Sequence, residues 1–135
     1  MDHGQFPVQQ GELSSEPSSE LSAETLWATI EELHDWLDGN RTLPPSETVL
    51  LRVLKLSEEV GEVAQAVIGA TGQNPRKGAS HTWSDVQAEL CDVIITAMVT
   101  LRTLTPEARE VFAGHVDRVA QRSRAARGPG AGDEA

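Results

Sequence analysis

Five carboxylates dominate the chemistry open to this sequence: Glu58, Glu59 and Glu62 in "EEVGE", and Glu89 with Asp92 in "ELCD". On a helix turning about 100° per residue the three glutamates fall within an arc of about 100°, with Lys55 and Gln65 alongside. Asp85, Glu89, Asp92 and Thr96, spaced four, three and four, share one side of a later helix. If the apolar stripes beside these two rows pack together, the acidic edges meet at the margin of one interface. Carboxylates gathered in a partly desolvated groove repel, and they either take up protons or recruit a cation. An oxygen-only ligand set with no Cys or His motif nearby suits Mg²⁺, with Mn²⁺ as the second choice, and does not suit Zn²⁺. Glutamate is also common on solvated helix faces, so "EEVGE" alone does not separate a site from a surface. Glu89 and Asp92, one turn apart inside an otherwise apolar helix, favour the metal, because acidic groups there are expensive unless used. Gly61 costs about 1 kcal/mol against Ala in a helix interior, which predicts a close backbone neighbour at that point.

Four helices are needed to carry these groups. The first starts after a Ser22 cap, presents Leu26, Ile30, Leu33 and Leu37 at helical spacing, and breaks at "DGNRTLPPS". Ser46 is the expected cap of the second, whose Val49, Val53, Leu56, Val60, Val63 and Val67 step by four and three as a packing seam. The loop "GATGQNPRKG" ends it. Thr82 with Asp85 forms a capping-box start for the third, with Val86, Leu90, Val93, Ala97, Leu101 and Leu104 as its apolar side. Thr105 as cap and Pro106 at the first helical position open the fourth, which runs through Val111, Phe112 and Val119. No segment alternates as a half-buried strand does, so the expected class is all-α, a four-helix bundle. Residues 1–21 read as a disordered arm, 22–124 as the helical domain and 125–135 as a flexible tail.

Composition removes several function classes. With 21 acidic against 11 basic residues and a formal charge of −10, neither a nucleic-acid backbone nor an anionic membrane is an expected partner. The single Cys91 lies in an apolar run, which predicts a buried, inert thiol. No stretch approaches the roughly 20 apolar residues of a membrane span, and the first residues lack the pattern of a signal peptide. A cytoplasmic protein is expected.

"EEVGE" from Glu58 to Glu62 and "ELCD" from Glu89 to Asp92 resemble the EExxE and ExxD signature of the MazG-like members of the all-α nucleoside triphosphate pyrophosphohydrolases. In helix order the likeness extends over roughly residues 22–122. The resemblance implies hydrolysis of a nucleoside triphosphate, ribo or deoxy, to the monophosphate and pyrophosphate, as in housecleaning of nucleotide pools. Carried over by position, it implies Glu59, Glu62, Glu89 and Asp92 as ligands of Mg²⁺, and Glu58 as a further ligand or a base orienting water, with Glu58 and Glu59 as the catalytic pair. A negative protein needs a metal to admit a triphosphate, so the chemistry is self-consistent. Asn74, Arg76 and Lys77 in "GQNPRKGASHTW", and Lys55 on the acidic face, are candidates for the phosphate tail, although basic residues in such loops are often only solvated. Arg122 and Arg124 are further candidates. Some relatives place an aromatic ring after the acidic motif, where this chain has Ile68 and Gly69. Trp36, Trp83 and His34 are the available substitutes, against the ordinary reading of Trp as core and His as a satisfied structural residue.

Other readings compete with this one. A carboxylate-bridged di-metal bundle requires Glu-x-x-His on two helices, and only "EELH", Glu31 to His34, qualifies. A non-catalytic helical interaction protein would use the seams for assembly and the acids for solubility. A nucleotide-binding protein of the same fold without turnover lies between. The two seams offer more apolar surface than four helices can bury, so a homodimer or homotetramer is expected; the family resemblance points the same way and implies a site completed across the interface.

Overall fold

The computed structural model describes residues 20–128, which form four helices and no strand: α1 (Ala23–Gly39), α2 (Pro45–Thr71), α3 (Trp83–Leu104) and α4 (Ala108–Arg127). The expected all-α class is therefore observed. The stretches 1–19 and 129–135, read above as parts of the arm and tail, lie outside the described residues, and α4 continues through Arg127, past the expected edge at 124. None of the helices is long and apolar enough to cross a membrane.

Local chemistry explains most helix ends. Ser22 Oγ accepts from the Thr25 amide at 3.1 Å, and Thr82 with Asp85 closes a full capping box, the Thr82 amide donating to Asp85 Oδ2 at 2.7 Å. Those bonds hold the Asp85 carboxyl below its ordinary range, the backbone donor being the largest cause, so Asp85 is committed to the cap. Two starts differ from expectation. α2 opens at Pro45 behind Pro44, with Ser46 inside the first turn and no side-chain cap, because a proline there has no amide hydrogen to satisfy. Thr105 Oγ1 accepts from the Glu107 amide at 3.1 Å, which spends Pro106 in a turn and delays α4 to Ala108. At the end of α2, Gly72 takes the left-handed conformation at φ 64° and donates to the Ile68 carbonyl.

The buried apolar core lies between α1 and α3, where Ile30, Met98 and Val99 meet and Leu26, Trp27 and Leu33 pack around them. α2 and α3 form the principal helix pair, whereas α4 touches α3 only lightly. Their contact line follows the expected valine seam only in part, with Val49, Leu56, Val63 and Val67 half-buried. α2 buries Thr48, Glu59, Ala66 and Gly69, while Val53 and Val60 stay 44% and 55% exposed, and Leu90, Ile94 and Leu104 of α3 are open as well. Small and hydroxyl-bearing residues let the two backbones approach, and the Thr100 hydroxyl donates to the Thr96 and Arg52 carbonyls. Arg52 then ties three helices, bonding Thr103 Oγ1 at 2.8 Å and Asp38 Oδ1 at 3.2 Å.

Cys91 is exposed, contrary to the buried thiol expected. It faces within about 20° of Met98 around α3. Antiparallel α1 covers Met98 but has its last turn beside Ile95, so nothing from α1 reaches Cys91.

Candidate metal and phosphate site

Glu59 sits in the middle of α2 and is buried; Glu89 and Asp92 come from the N-terminal half of α3. One carboxylate oxygen from each lies within 4.8 Å of the other two. Three of the four expected ligands thus converge from two helices. Glu62, one turn along α2, joins their edge: partial burial first, then the charge of Glu59 and a shared hydrogen bond with it, push the Glu62 carboxyl above its ordinary value, and Glu89 and Glu58 add to the repulsion. The acid therefore holds a proton more readily than a free glutamate, as expected where negative charge is gathered without compensation.

Lys55 is the cation placed against this group. Its Nζ lies 2.9 Å from Glu59 Oε1 and 3.3 Å from Glu58 Oε2, and these contacts, Glu59 foremost, hold its pKa above the usual lysine value. Glu58 itself is largely exposed, at the rim beyond the three converging carboxylates. It faces solvent with one oxygen paired to Lys55.

The α2–α3 loop brings a second set of groups along the same side of α2. Glu58, Glu62, Gln65 and Gly69 are spaced four, three and four, so a cavity of about 210 Å³ lined by Gln65, Ile68, Gly69, Asn74, Lys77 and His81 opens beyond the acidic cluster. Asn74 shapes the loop by accepting from the Arg76 amide through Oδ1 and from the Lys77 and Gly78 amides through its carbonyl. Of the expected phosphate contacts, Asn74 and Lys77 line this cavity. Arg76 is exposed and does not, and Arg122 and Arg124 on α4 line none of the cavities beside the cluster.

The close approach expected at Gly61 occurs elsewhere. A Cβ on Gly61 would meet nothing within 4 Å, whereas a Cβ on Gly69 would collide with His81 Nδ1 and Ser80 Oγ. Gly69 is the position that lets the loop lie across α2, its carbonyl accepting from the Ser80 amide at 3.1 Å. The sequence signal for it is the Gly-x-x-Gly of "GATG", which in the sequence reads only as part of the loop that ends α2.

The remaining "EELH" motif is already spent. Glu31, His34 and Asp35 also bring ligand-type atoms within 4.8 Å of one another, but Arg102 donates Nε and Nη2 to the two Glu31 oxygens, both at 2.6 Å. That hydrogen-bonded pairing lowers the Glu31 carboxyl and raises Arg102. His34 is buried, with Nδ1 3.1 Å from Asp35 Oδ1, the satisfied structural histidine.

Comparison of the chain with family models, with curated proteins and with solved structures gives no match.

Proposed function

We propose that the protein is a Mg²⁺-dependent nucleoside triphosphate pyrophosphohydrolase, cleaving a nucleotide to its monophosphate and pyrophosphate. The observation that carries the reading is the convergence of Glu59, Glu89 and Asp92 to within 4.8 Å around a buried glutamate, with Lys55 the one cation paired to that glutamate among the described residues. Oxygen-only donors with surplus negative charge suit a hard divalent ion. Glu59, Glu62, Glu89 and Asp92 would hold Mg²⁺, or Mn²⁺ in its place, and the ion would supply charge neutralisation and polarisation of phosphoryl oxygens. The chain's own residues have the remaining work. Glu58, exposed at the rim, accepts a proton from the attacking water; Lys55 orients Glu58 and Glu59; Asn74 and Lys77 receive the phosphate tail in the loop cavity.

The exposed seam residues Val53, Val60, Leu90 and Leu104 support self-association, as a homodimer or homotetramer in a cytoplasmic setting. The same seams favour a second reading, a helical interaction protein whose acids keep it dispersed, or one that binds nucleotide without turnover. A panel of ribo- and deoxynucleoside triphosphates, assayed for pyrophosphate release with Mg²⁺ and with EDTA and with Glu59→Gln as control, separates these. Metal-dependent release that Glu59→Gln abolishes supports the hydrolase. Silence across the whole panel overturns it, and calorimetric binding of nucleotide without release would move the protein to the last reading.

A further inference from the structure

Basic side chains are scarce in this chain, 11 against 21 acids, yet three of them wall a single cavity. Arg41, Arg52 and Lys55 line a hollow of about 270 Å³ between the α1–α2 loop and the first turns of α2, and among the described residues no carboxylate lines it. Each cation is held differently. Arg41 is exposed and makes no ion pair among the described residues. Arg52, with only 12% of its side chain exposed, is fixed by Thr103 and Asp38, which use two of the five N–H donors of a guanidinium. Lys55 stands between the hollow and the acidic cluster, paired to Glu59 and Glu58. Asn40 and Thr48 on the wall already donate to the Trp36 and Pro44 carbonyls, so the cations carry the polar recognition. α2 begins beside the hollow without a side-chain cap, and the positive end of this 27-residue helix adds to the field. Exposed Leu37, Leu43 and Leu51 supply the apolar part of the wall.

Resting on the metal-binding part of the proposed function, we infer that this cavity is a regulatory site for an aliphatic anion, a carboxylate or phosphate monoester on a short hydrocarbon chain, coupled to Mg²⁺ through Lys55. The ligand class follows from the wall. Two guanidinium groups suit one compact anionic head, three leucines suit a hydrocarbon body, and no aromatic ring lines the cavity to stack a heterocycle. The coupling follows from the contacts of Lys55. Its nearest partner, Glu59 Oε1 at 2.9 Å, belongs to a proposed metal ligand, and a divalent ion there competes with the ammonium for the carboxylate and repels it. A lysine has three donors on a flexible stem, so Lys55 keeps Glu58 at the rim while turning its remaining donors to the cavity. By linkage, the anion tightens Mg²⁺ by the same factor that Mg²⁺ tightens the anion.

The test is calorimetry on the full chain with hexanoate and hexyl phosphate as probes, acetate and hexanol as controls, in saturating Mg²⁺ and in EDTA. At least one probe binds, and about 5-fold or more tightly with Mg²⁺ than without it. Hexanol lacks the head and acetate the body, and each binds at least about 10-fold more weakly. The tighter of the two probes names the head group. Arg41→Gln weakens the probe about 10-fold while leaving the Mg²⁺ titration unchanged, and Lys55→Met removes the difference between Mg²⁺ and EDTA. No heat from either probe, in a protein that does bind Mg²⁺, overturns the inference and leaves the metal site standing. Equal affinity with and without Mg²⁺, indifference to Arg41→Gln, or mutually exclusive binding of hexanoate and ATP also overturns it, the last by making the cavity part of the substrate site. A protein that takes up no Mg²⁺ removes the metal reading and this coupling together.

Discussion

The two halves of α3 treat charge in opposite ways. Near its C-terminus, Arg102 meets Glu31 of α1 with two short parallel bonds, next to the apolar core of Ile30, Met98 and Val99. Near its N-terminus, Glu89 and Asp92 face Glu59 of α2, and among the described residues the one cation in contact, Lys55, is half exposed and shared with Glu58. The first half is electrostatically complete, and nothing further is needed to hold it. The second gathers more negative charge than it neutralises, a surplus that a bound cation would balance. The contrast appears in the acids themselves, since Glu31 is lowered by its partner and Glu62 is raised by partial burial and by its neighbours.

The strongest way to break this contrast is to neutralise the centre of the surplus. Glu59→Gln is expected to cut Mg²⁺-dependent turnover by about 100-fold or more while leaving the thermal midpoint of EDTA-treated protein unchanged or higher. A loss of several degrees in EDTA instead would make Glu59 an ordinary structural residue. Next in size are the two glycines of α2. Gly69→Ala should cost about 1–3 kcal/mol, since Ser80 and His81 must shift, and should weaken tripolyphosphate binding through the disturbed loop. Gly61→Ala, with open space around it, should stabilise by about 0.5–1 kcal/mol in urea titration. If Gly61→Ala destabilises and lowers the assembly mass, the close neighbour expected at Gly61 belongs to a second copy.

The completed half should respond differently. Arg102→Met is expected to cost about 1 kcal/mol in chemical denaturation, the modest value proper to a pair whose glutamate is 46% exposed, with no effect on Mg²⁺ affinity. An effect on metal binding equal to that of Glu59→Gln would dissolve the distinction between the halves.

The smallest effect is in the pH profile, and it has opposite signs. Glu31 is lowered from 4.5, so its contribution is present above that pH and is lost as pH falls through the folded value. Glu62 is raised from 4.5, so the folded state binds its proton more tightly. That contribution is complete below 4.5 and is lost as pH rises through the folded value. Urea midpoints measured in EDTA should therefore fall on both sides of a maximum. Glu31→Gln flattens the acid limb, Glu62→Gln flattens the other, and Mg²⁺ abolishes only the second. Identical profiles with and without Mg²⁺ would argue that no ion enters the cluster.

Much of this was legible in the chain before folding. Hydrophobic period, the Ser22 cap and the Thr82–Asp85 box are local, so four helices and most of their ends followed from residues within a turn of one another. The acidic rows were legible for the same reason, since spacing alone puts side chains on one face. What spacing could not supply is how each helix is rotated against its neighbour. Six apolar and several small residues compete to face α3, and close backbone approach through Thr48, Ala66 and Gly69 took the centre of the contact, leaving Val49, Leu56, Val63 and Val67 half-buried, exposing Val53 and Val60 and carrying Glu59 inward. The same rotation assigned the tight contact to Gly69 in place of Gly61 and, with α1 ending near Ile95, left Cys91 outside. Helix identity and charge spacing belong to neighbours along the chain; which carboxylates meet depends on contacts between residues tens of positions apart, and only the packed structure decides those.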